Sequence, residues 1–355
     1  MATIVLRYFA LLPLISIGSL AQYPACNPTQ TNTSHLTFFL YTKNYSTIIT
    51  DEDSSIKNAA FAESNDLVVY IIGYNTNYTG VDCVALRQTY LNRTEDNNII
   101  VVDYSNVTGP VDPTAILFLT TYMKAARCDV PQVAKKVVDL IISIHKNRPE
   151  INSTHVIGAS LGGQIAGRVG SLYKEKKGTL LNRVTVLDAA GMFYQDHTNH
   201  VTPECATIVD AYHTNSGFLA QITPIGTVDF YINNAFVQPV CIYNQTELED
   251  VLHGYTATFV YFCSHNSAFI YYIASINYDQ IYAKRCNAIK SLTKDSNNVY
   301  ILDDNNKNAL MRTCEEEVES EDSRIVFGEH LTPGVTGVFY ASIENLLSLI
   351  QYINI

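Results

Sequence analysis

At 355 residues, 47% of them hydrophobic, the chain has the apolar material for a large buried core. Its formal net charge of −11 argues against nucleic acid or an anionic bilayer as an electrostatically attracted partner. The sequence also lacks a Gly-rich phosphate loop, a His-Glu-x-x-His pattern and a basic aromatic patch, so the signatures of phosphate-cradling, zinc-protease and nucleic-acid chemistry are missing.

The N-terminus carries Arg7, an apolar run from Tyr8 to Ile17, then Gly18-Ser19-Leu20-Ala21. That is the pattern of a secretory leader over residues 1–21, cleaved after Ala21, and the run is too short to cross ~30 Å of hydrocarbon. A single domain is expected over 22–355, with no transmembrane segment. Eight cysteines and the sequons at Asn32, Asn44, Asn77, Asn92, Asn106, Asn152 and Asn244 fit an oxidising, extracellular compartment in which the cysteines can pair.

His35 to Tyr41 reads as a first strand, followed by a polar stretch to about Asp66. Leu67 to Ile72, ending in Gly73-Tyr74, and Ile99 to Tyr104 are continuous β-prone runs. Without polar alternation they fit strands buried on both faces of a parallel sheet. Val133, Val137, Leu140, Ile141 and Ile144 then recur at helical spacing, with Asp129 as the expected cap and Pro131 in the first turn. An apolar run from His155 feeds Gly158-Ala159-Ser160-Leu161-Gly162, after which Ile165, Val169 and Leu172 follow at helical spacing. Val184 to Leu187 is the next buried strand and ends in Asp188. Glu315-Glu316-Glu317 reads as a solvated loop, and Ile343, Leu346, Leu347 and Ile350 as a core-packing helical face. Strands alternating with helices predict an α/β fold, a mostly parallel central sheet with helices on both faces, binding its ligand at the carboxyl ends of the strands.

Three of those ends carry Gly73-Tyr74, Ser160 and Asp188. Gly-x-Ser-x-Gly between a strand and a helix is the context of a nucleophile elbow, where side chains at Gly158 and Gly162 would collide with the neighbouring strand and helix. A serine hydroxyl needs a base, an acid to orient that base, and donors for the oxyanion. In α/β hydrolases these follow in the order Ser, Asp, His, so Asp188 fits the acid. His265 satisfies the order, as do His197, His200, His213 and His253, and spacing alone leaves the base open. Asp196-His197-x-x-His200 could ligate a cation, but a short cluster in a polar loop is more simply solvated, and the serine mechanism needs neither metal nor cofactor.

Taken together, these motifs make the chain resemble the pancreatic-lipase family, particularly its insect branch with the wasp-venom phospholipases A1. The elbow is Gly158-Ala159-Ser160-Leu161-Gly162. Leu187-Asp188-Ala189-Ala190-Gly191 resembles the family's acid motif, and His213-Thr214-Asn215 the segment after it. Gly226-Thr227-Val228-Asp229-Phe230-Tyr231-Ile232-Asn233-Asn234, leading to Gln238-Pro239-Val240-Cys241, is similar to the venom enzymes, and Cys263-Ser264-His265 matches the segment that holds the family's catalytic histidine. The likeness covers roughly residues 35–342. It implies a catalytic set of Ser160, Asp188 and His265, a structural role for His213, and disulfides Cys241 with Cys263 and Cys286 with Cys314. The pairing of Cys26, Cys83, Cys128 and Cys205 stays open. The family's oxyanion strand ends His-Gly-Phe where this chain has Ile72-Gly73-Tyr74. Since the donor is a backbone N–H, Tyr74 can supply it alongside Leu161.

Two loops bear on the substrate. Only 15 residues separate His213 from Asp229, which by resemblance is short for a triglyceride lipase and leaves room for a phospholipid head group. Between Cys241 and Cys263 lie 21 residues, including Ile242, Leu248, Val251 and Leu252, which is nearer a full lipase lid. The expected function is therefore a secreted lipid-ester hydrolase acting on phospholipid or acylglycerol at a lipid–water interface. Phospholipase A1 is favoured, triacylglycerol lipase is the alternative, and a non-catalytic lipid-binding or storage protein is the rival from another class.

Overall fold

The computed structural model describes residues 26, 31–109, 115–192, 194, 201–242, 257–286, 314, 324–343, 349 and 351–353. Outside them lie the leader, the His197/His200 pair, His253, the apolar residues Leu248, Val251 and Leu252, the Glu315–Glu317 run and Leu346, Leu347 and Ile350.

The β-branched runs form the middle of a sheet because their residues have no polar face to present to water. Every residue of β4 (Asn98–Asp103) and β8 (Val228–Ile232) is buried, as is all but the first of β3 (Asp66–Ile71). The other strands are β1 (Thr37–Thr42), β2 (Tyr45–Ile49), β5 (Ser153–Ala159), β6 (Leu181–Leu187), β7 (Ala206–His213), β9 (Tyr282–Arg285), β10 (Arg324–Val326) and β11 (Gly337–Ala341). The described strands form one sheet in the order β10-β9-β11-β8-β7-β6-β5-β3-β4-β1-β2. From β4 to β11 through the centre every pairing is parallel. β1, β2, β9 and β10 are antiparallel additions at the two edges.

Helices cover both faces. α1 (Asp53–Asn58), α4 (Val130–Asn147) and α5 (Leu161–Lys177) pack as one group, and α2 (Val81–Leu91) packs with α6 (Ala257–Asn277). α3 (Ala115–Lys124) runs through a π-helical turn, Ala125–Asp129, straight into α4. The chain passes from β3 outward to β4, then back across β3 to β5, so the strand order reverses at β3. Crevices at such reversal points are where α/β sheets bind ligands.

Several sequence expectations need correction. Asp129 does not cap α4, because no helix begins there. Its buried carboxylate accepts instead from Lys124 Nζ (2.9 and 2.8 Å) and Thr31 Oγ1 (2.8 Å). The polar stretch before Asp66 contains β2 and α1. The segment that carries His265, for which the sequence suggested no element, lies inside α6. Of the eight cysteines only six pair, as Cys26–Cys128, Cys241–Cys263 and Cys286–Cys314. Cys83 and Cys205 are buried free thiols, and burial pushes Cys83 up to about 12, so its nucleophilic thiolate is suppressed.

A buried polar network joins the C-terminal segment to the sheet. Arg183 on β6 donates to both oxygens of Asp210 on β7 (2.9 and 2.6 Å) and to the Glu329 and Gly328 carbonyls (2.7 and 2.8 Å). The Glu329 carboxylate accepts from Tyr90 (2.8 Å) and Tyr272 (2.6 Å). Thr185 Oγ1 donates to Asp210 (2.7 Å), so it accepts from His155 Nε2 (2.7 Å). Burial, then the nearby Arg183 guanidinium, push His155 well below the ordinary histidine range, and burial, then Lys177, push His145 the same way. Both rings therefore take up a proton less readily in the folded chain than in the unfolded chain, where histidines protonate below about pH 6.5. The unfolded state then binds more protons, so stability falls as pH drops through that window. Urea unfolding between pH 7 and pH 5 is expected to show this loss, and the double variant His145→Gln/His155→Gln to flatten it; an unchanged slope would assign the acid sensitivity elsewhere.

Candidate active site

Ser160 sits between β5 and α5 with φ 53° and ψ −118°, a backbone conformation that costs a non-glycine residue of order 1–3 kcal/mol. Packing on either side holds it there. A Cβ at Gly158 would lie 2.1 Å from the Gly162 carbonyl oxygen, and one at Gly162 would lie 2.3 and 2.4 Å from the Ile72 and Ile71 carbonyl oxygens. The glycines thus let the start of α5 press against β5 and β3 at once. The Ser160 amide donates to the Leu187 carbonyl (2.9 Å), and its own carbonyl accepts from the Gly163 and Ala190 amides (both 3.0 Å). The strained turn is bonded to Leu187, just before Asp188, and to Ala190, two residues after it.

Asp188 also has positive φ, 48°, and is fully buried. Its Oδ1 accepts from the backbone amides of Thr214 (2.8 Å) and Asn215 (3.1 Å), and its Oδ2 lies 2.6 Å from His265 Nδ1. With Nδ1–H committed to the carboxylate, Nε2 is left as the ring's proton-accepting atom. Of the histidines that could follow Asp188 in order, His265 is the one that touches it among the described residues.

His213 is occupied elsewhere. Its Nε2 bonds Asp229 Oδ1 (2.9 Å), its Nδ1 faces the Gln221 carbonyl (3.3 Å), and its ring stacks on Tyr231 at 4.3 Å. Asp229 in turn accepts from the Ile225 and Gly226 amides (2.8 and 3.0 Å). The ring therefore braces the short loop between β7 and β8. That loop also folds back on the exit of β6, through Gly191 N to Leu219 O (2.9 Å), Gln221 N to Ala189 O (2.8 Å) and Gln221 Nε2 to Tyr194 O (3.1 Å).

The oxyanion candidates come from two neighbouring strand ends. Leu161 is the first residue of α5, one of the positions whose N–H has no acceptor within the helix. Tyr74 follows Gly73, where a Cβ would lie 3.7 Å from Ser160 Cβ, so the β3 exit runs against the serine. The Tyr74 ring packs edge-on to Tyr122 at 5.1 Å.

Three supporting residues were not singled out from the sequence. Asp103, at the end of β4, accepts from the Tyr78 and Ser105 amides (both 2.9 Å) and anchors the loop that carries Tyr74. Gln164, one turn into α5, donates to Ala190 O (2.6 Å) and accepts from Val201 N (3.1 Å). Gln238 is buried between the β7 exit and α6. For Asp103 a signal existed, since like Asp188 it closes a continuous apolar strand. No cluster of metal-ligating side chains occurs among the described residues.

The lipase family profile matches residues 18–319. Lipase member H of Danio rerio is 28% identical over 225 residues, 62% of this chain and 44% of that protein. Phospholipase A1 member A of Rattus norvegicus is 28% identical over 197 residues, 54% and 40% of the two chains. Phospholipase A1 of Vespa velutina is 27% identical over 227 residues, 63% and 69%. The match thus spans less than half the length of the two vertebrate relatives. A strained Gly-x-Ser-x-Gly turn at the reversal point of a mostly parallel α/β sheet, together with a profile that covers most of the chain, places this protein in the pancreatic-lipase family of ester hydrolases.

Proposed function

We propose that the chain is a secreted serine carboxylic-ester hydrolase with phospholipase A1 activity. The observation that carries this reading is the 2.6 Å contact of His265 with buried Asp188, beside a serine whose backbone is bonded to the residues flanking that aspartate. Ser160 Oγ attacks the acyl carbonyl carbon while His265 Nε2 takes the hydroxyl proton. The oxyanion is met by the Tyr74 and Leu161 amides. His265 returns the proton to the leaving alcohol oxygen as the C–O bond breaks, and water then releases the acyl chain by the reverse sequence. Asp188 keeps the imidazole in the tautomer that accepts at Nε2 and stabilises the imidazolium.

Secretion belongs to the same proposal. The six described sequon asparagines, Asn32, Asn44, Asn77, Asn92, Asn106 and Asn152, are all exposed, as N-glycan acceptors in a secreted chain would be. One experiment reads both parts. The chain expressed with its own leader in cultured eukaryotic cells is treated with a fluorophosphonate and mapped by mass spectrometry. The mature chain is expected to begin near Gln22 and to carry the label on Ser160. Ser160→Ala should lose the label and, on the order of 10⁴-fold or more, the esterase rate. A folded wild type that neither labels nor hydrolyses a short-chain ester would leave a lipid-binding role as the better reading.

The substrate follows from what is fixed around the cleft. The loop between His213 and Asp229 is short, internally braced and bonded to the β6 exit, so it is a permanent boundary rather than a flap that moves aside. Its low profile favours a substrate with a bulky head group, and the exposed Phe259 and Phe262, about two turns and one turn before His265 on α6, offer apolar contact to a lipid surface. The expected product from phosphatidylcholine is the free sn-1 acyl chain and a 2-acyl lysophospholipid, with triglyceride hydrolysis secondary. Phosphatidylcholine with distinguishable chains, run beside a triglyceride emulsion of matched interfacial area, decides it. Fast triglyceride turnover with intact phospholipid would contradict the assignment.

A further inference from the structure

Gln238 is fully buried, and every polar atom it has is engaged. Its Nε2 donates to the Thr214 carbonyl (2.9 Å) and the Ile232 carbonyl (3.1 Å). Its Oε1 accepts from Asn233 Nδ2 (2.8 Å) and Tyr271 Oη (3.2 Å). Its backbone N–H donates to Ser264 Oγ (2.9 Å), and its carbonyl accepts from the Cys241 amide (2.9 Å).

Two of these partners belong to opposite sides of the candidate site. The Thr214 carbonyl and the Asn215 N–H are the two ends of one peptide unit, and that N–H donates to Asp188 Oδ1 (3.1 Å). A continuous chain therefore runs from Gln238 Nε2–H through this peptide to the Asp188 carboxylate, each bond polarising the next. On the other side, Ser264 precedes His265, and Tyr271 lies on the same helix. We propose that Gln238 is a positioning residue which sets the separation and alignment of Asp188 and His265, by bonding the loop that holds the acid and the helix that carries the base. This rests on the serine-hydrolase reading above. The alignment needed is of order 0.5 Å, and the two partners are 77 residues apart in sequence, so a rigid, fully bonded spacer has a clear task. The Cys241–Cys263 disulfide ties Gln238's own segment, but not the acid's loop, to α6. It crosses between them one residue before Ser264 and makes no bond to the peptide on Asp188.

The test replaces Gln238 by Met, which keeps the volume and removes the side-chain bonds. With a phospholipid substrate, kcat is expected to fall about 10–100-fold while KM stays within about threefold, the mark of lost transition-state alignment rather than lost binding. The far-downfield proton resonance of the His265 Nδ1–H bonded to Asp188 should broaden or shift upfield. A core variant with a similar loss of thermal stability, Val169→Ala, should leave both readouts in place. If Gln238→Met does not fold, Ser264→Ala removes only the acceptor on the helix side and should lower kcat severalfold with the same spectral change. Unchanged kcat and an unchanged resonance in the Gln238 variant, or in Ser264→Ala if it is the one that folds, overturn the inference alone. A wild type with no fluorophosphonate label overturns the site reading and this inference with it.

Discussion

The carboxylate of Asp188 carries no exposed surface, and most of the site's architecture answers the cost of that burial. Removing a carboxylate from water costs several kcal/mol even after relaxation, so its lone pairs have to be met by donors held in place. Two backbone amides and an imidazole N–H meet them, and charge-assisted bonds of this kind contribute about 1.5–3 kcal/mol each. The donors come from the β7 exit and from α6, which are distant in sequence. The aspartate therefore draws together the parts of the chain that the candidate chemistry needs.

The constraint spreads outward through bonds that would otherwise seem incidental. Thr214 and Asn215 can present their amides only if the loop after His213 turns tightly, and the His213–Asp229 pair braces that turn from within. The loop is also bonded to Ala189 and Gly191, just past the acid. The strained backbone of Ser160 is bonded to Leu187 and Ala190 on either side of the same aspartate. Strain at Ser160 and Asp188 persists because rigid neighbours over-determine both residues. The same bonds hold the short loop between β7 and β8 in place, and the substrate proposal rests on that.

A second buried charge cluster, built on Arg183, Asp210 and Glu329, lies away from the serine. It links the central strands β6 and β7 to the segment that leads into β11. Each charge there has a partner of opposite sign or several hydroxyl and carbonyl contacts, the condition under which buried ions are tolerated.

The amino-acid order by itself determined the elements that rest on local periodicity and on absence of polarity. The strands at Leu67, Ile99 and Val184 were legible because a strand buried on both faces has to be apolar along most of its length. The helices after Asp129 and Ser160 were legible because they repeat at 3.6 residues, and the elbow because two glycines bracket a serine at a strand–helix junction. The short strands β2, β9 and β10 at the sheet edges carry no such signal, since pairing with a neighbour rather than their own composition makes them strands. Order along the chain left several histidines as partners for Asp188. The family resemblance pointed to His265 as the base and His213 as structural; the fold adds their bonds, His265 to Asp188 and His213 to Asp229, because proximity between residues 77 apart is a property of packing. The same holds for the cysteines, where the sequence left Cys26, Cys83, Cys128 and Cys205 open and the fold pairs Cys26 with Cys128 and buries Cys83 and Cys205 as thiols. Gln238 looks like one more polar residue of a motif until tertiary structure buries its amide between the acid's donor loop and the base's helix.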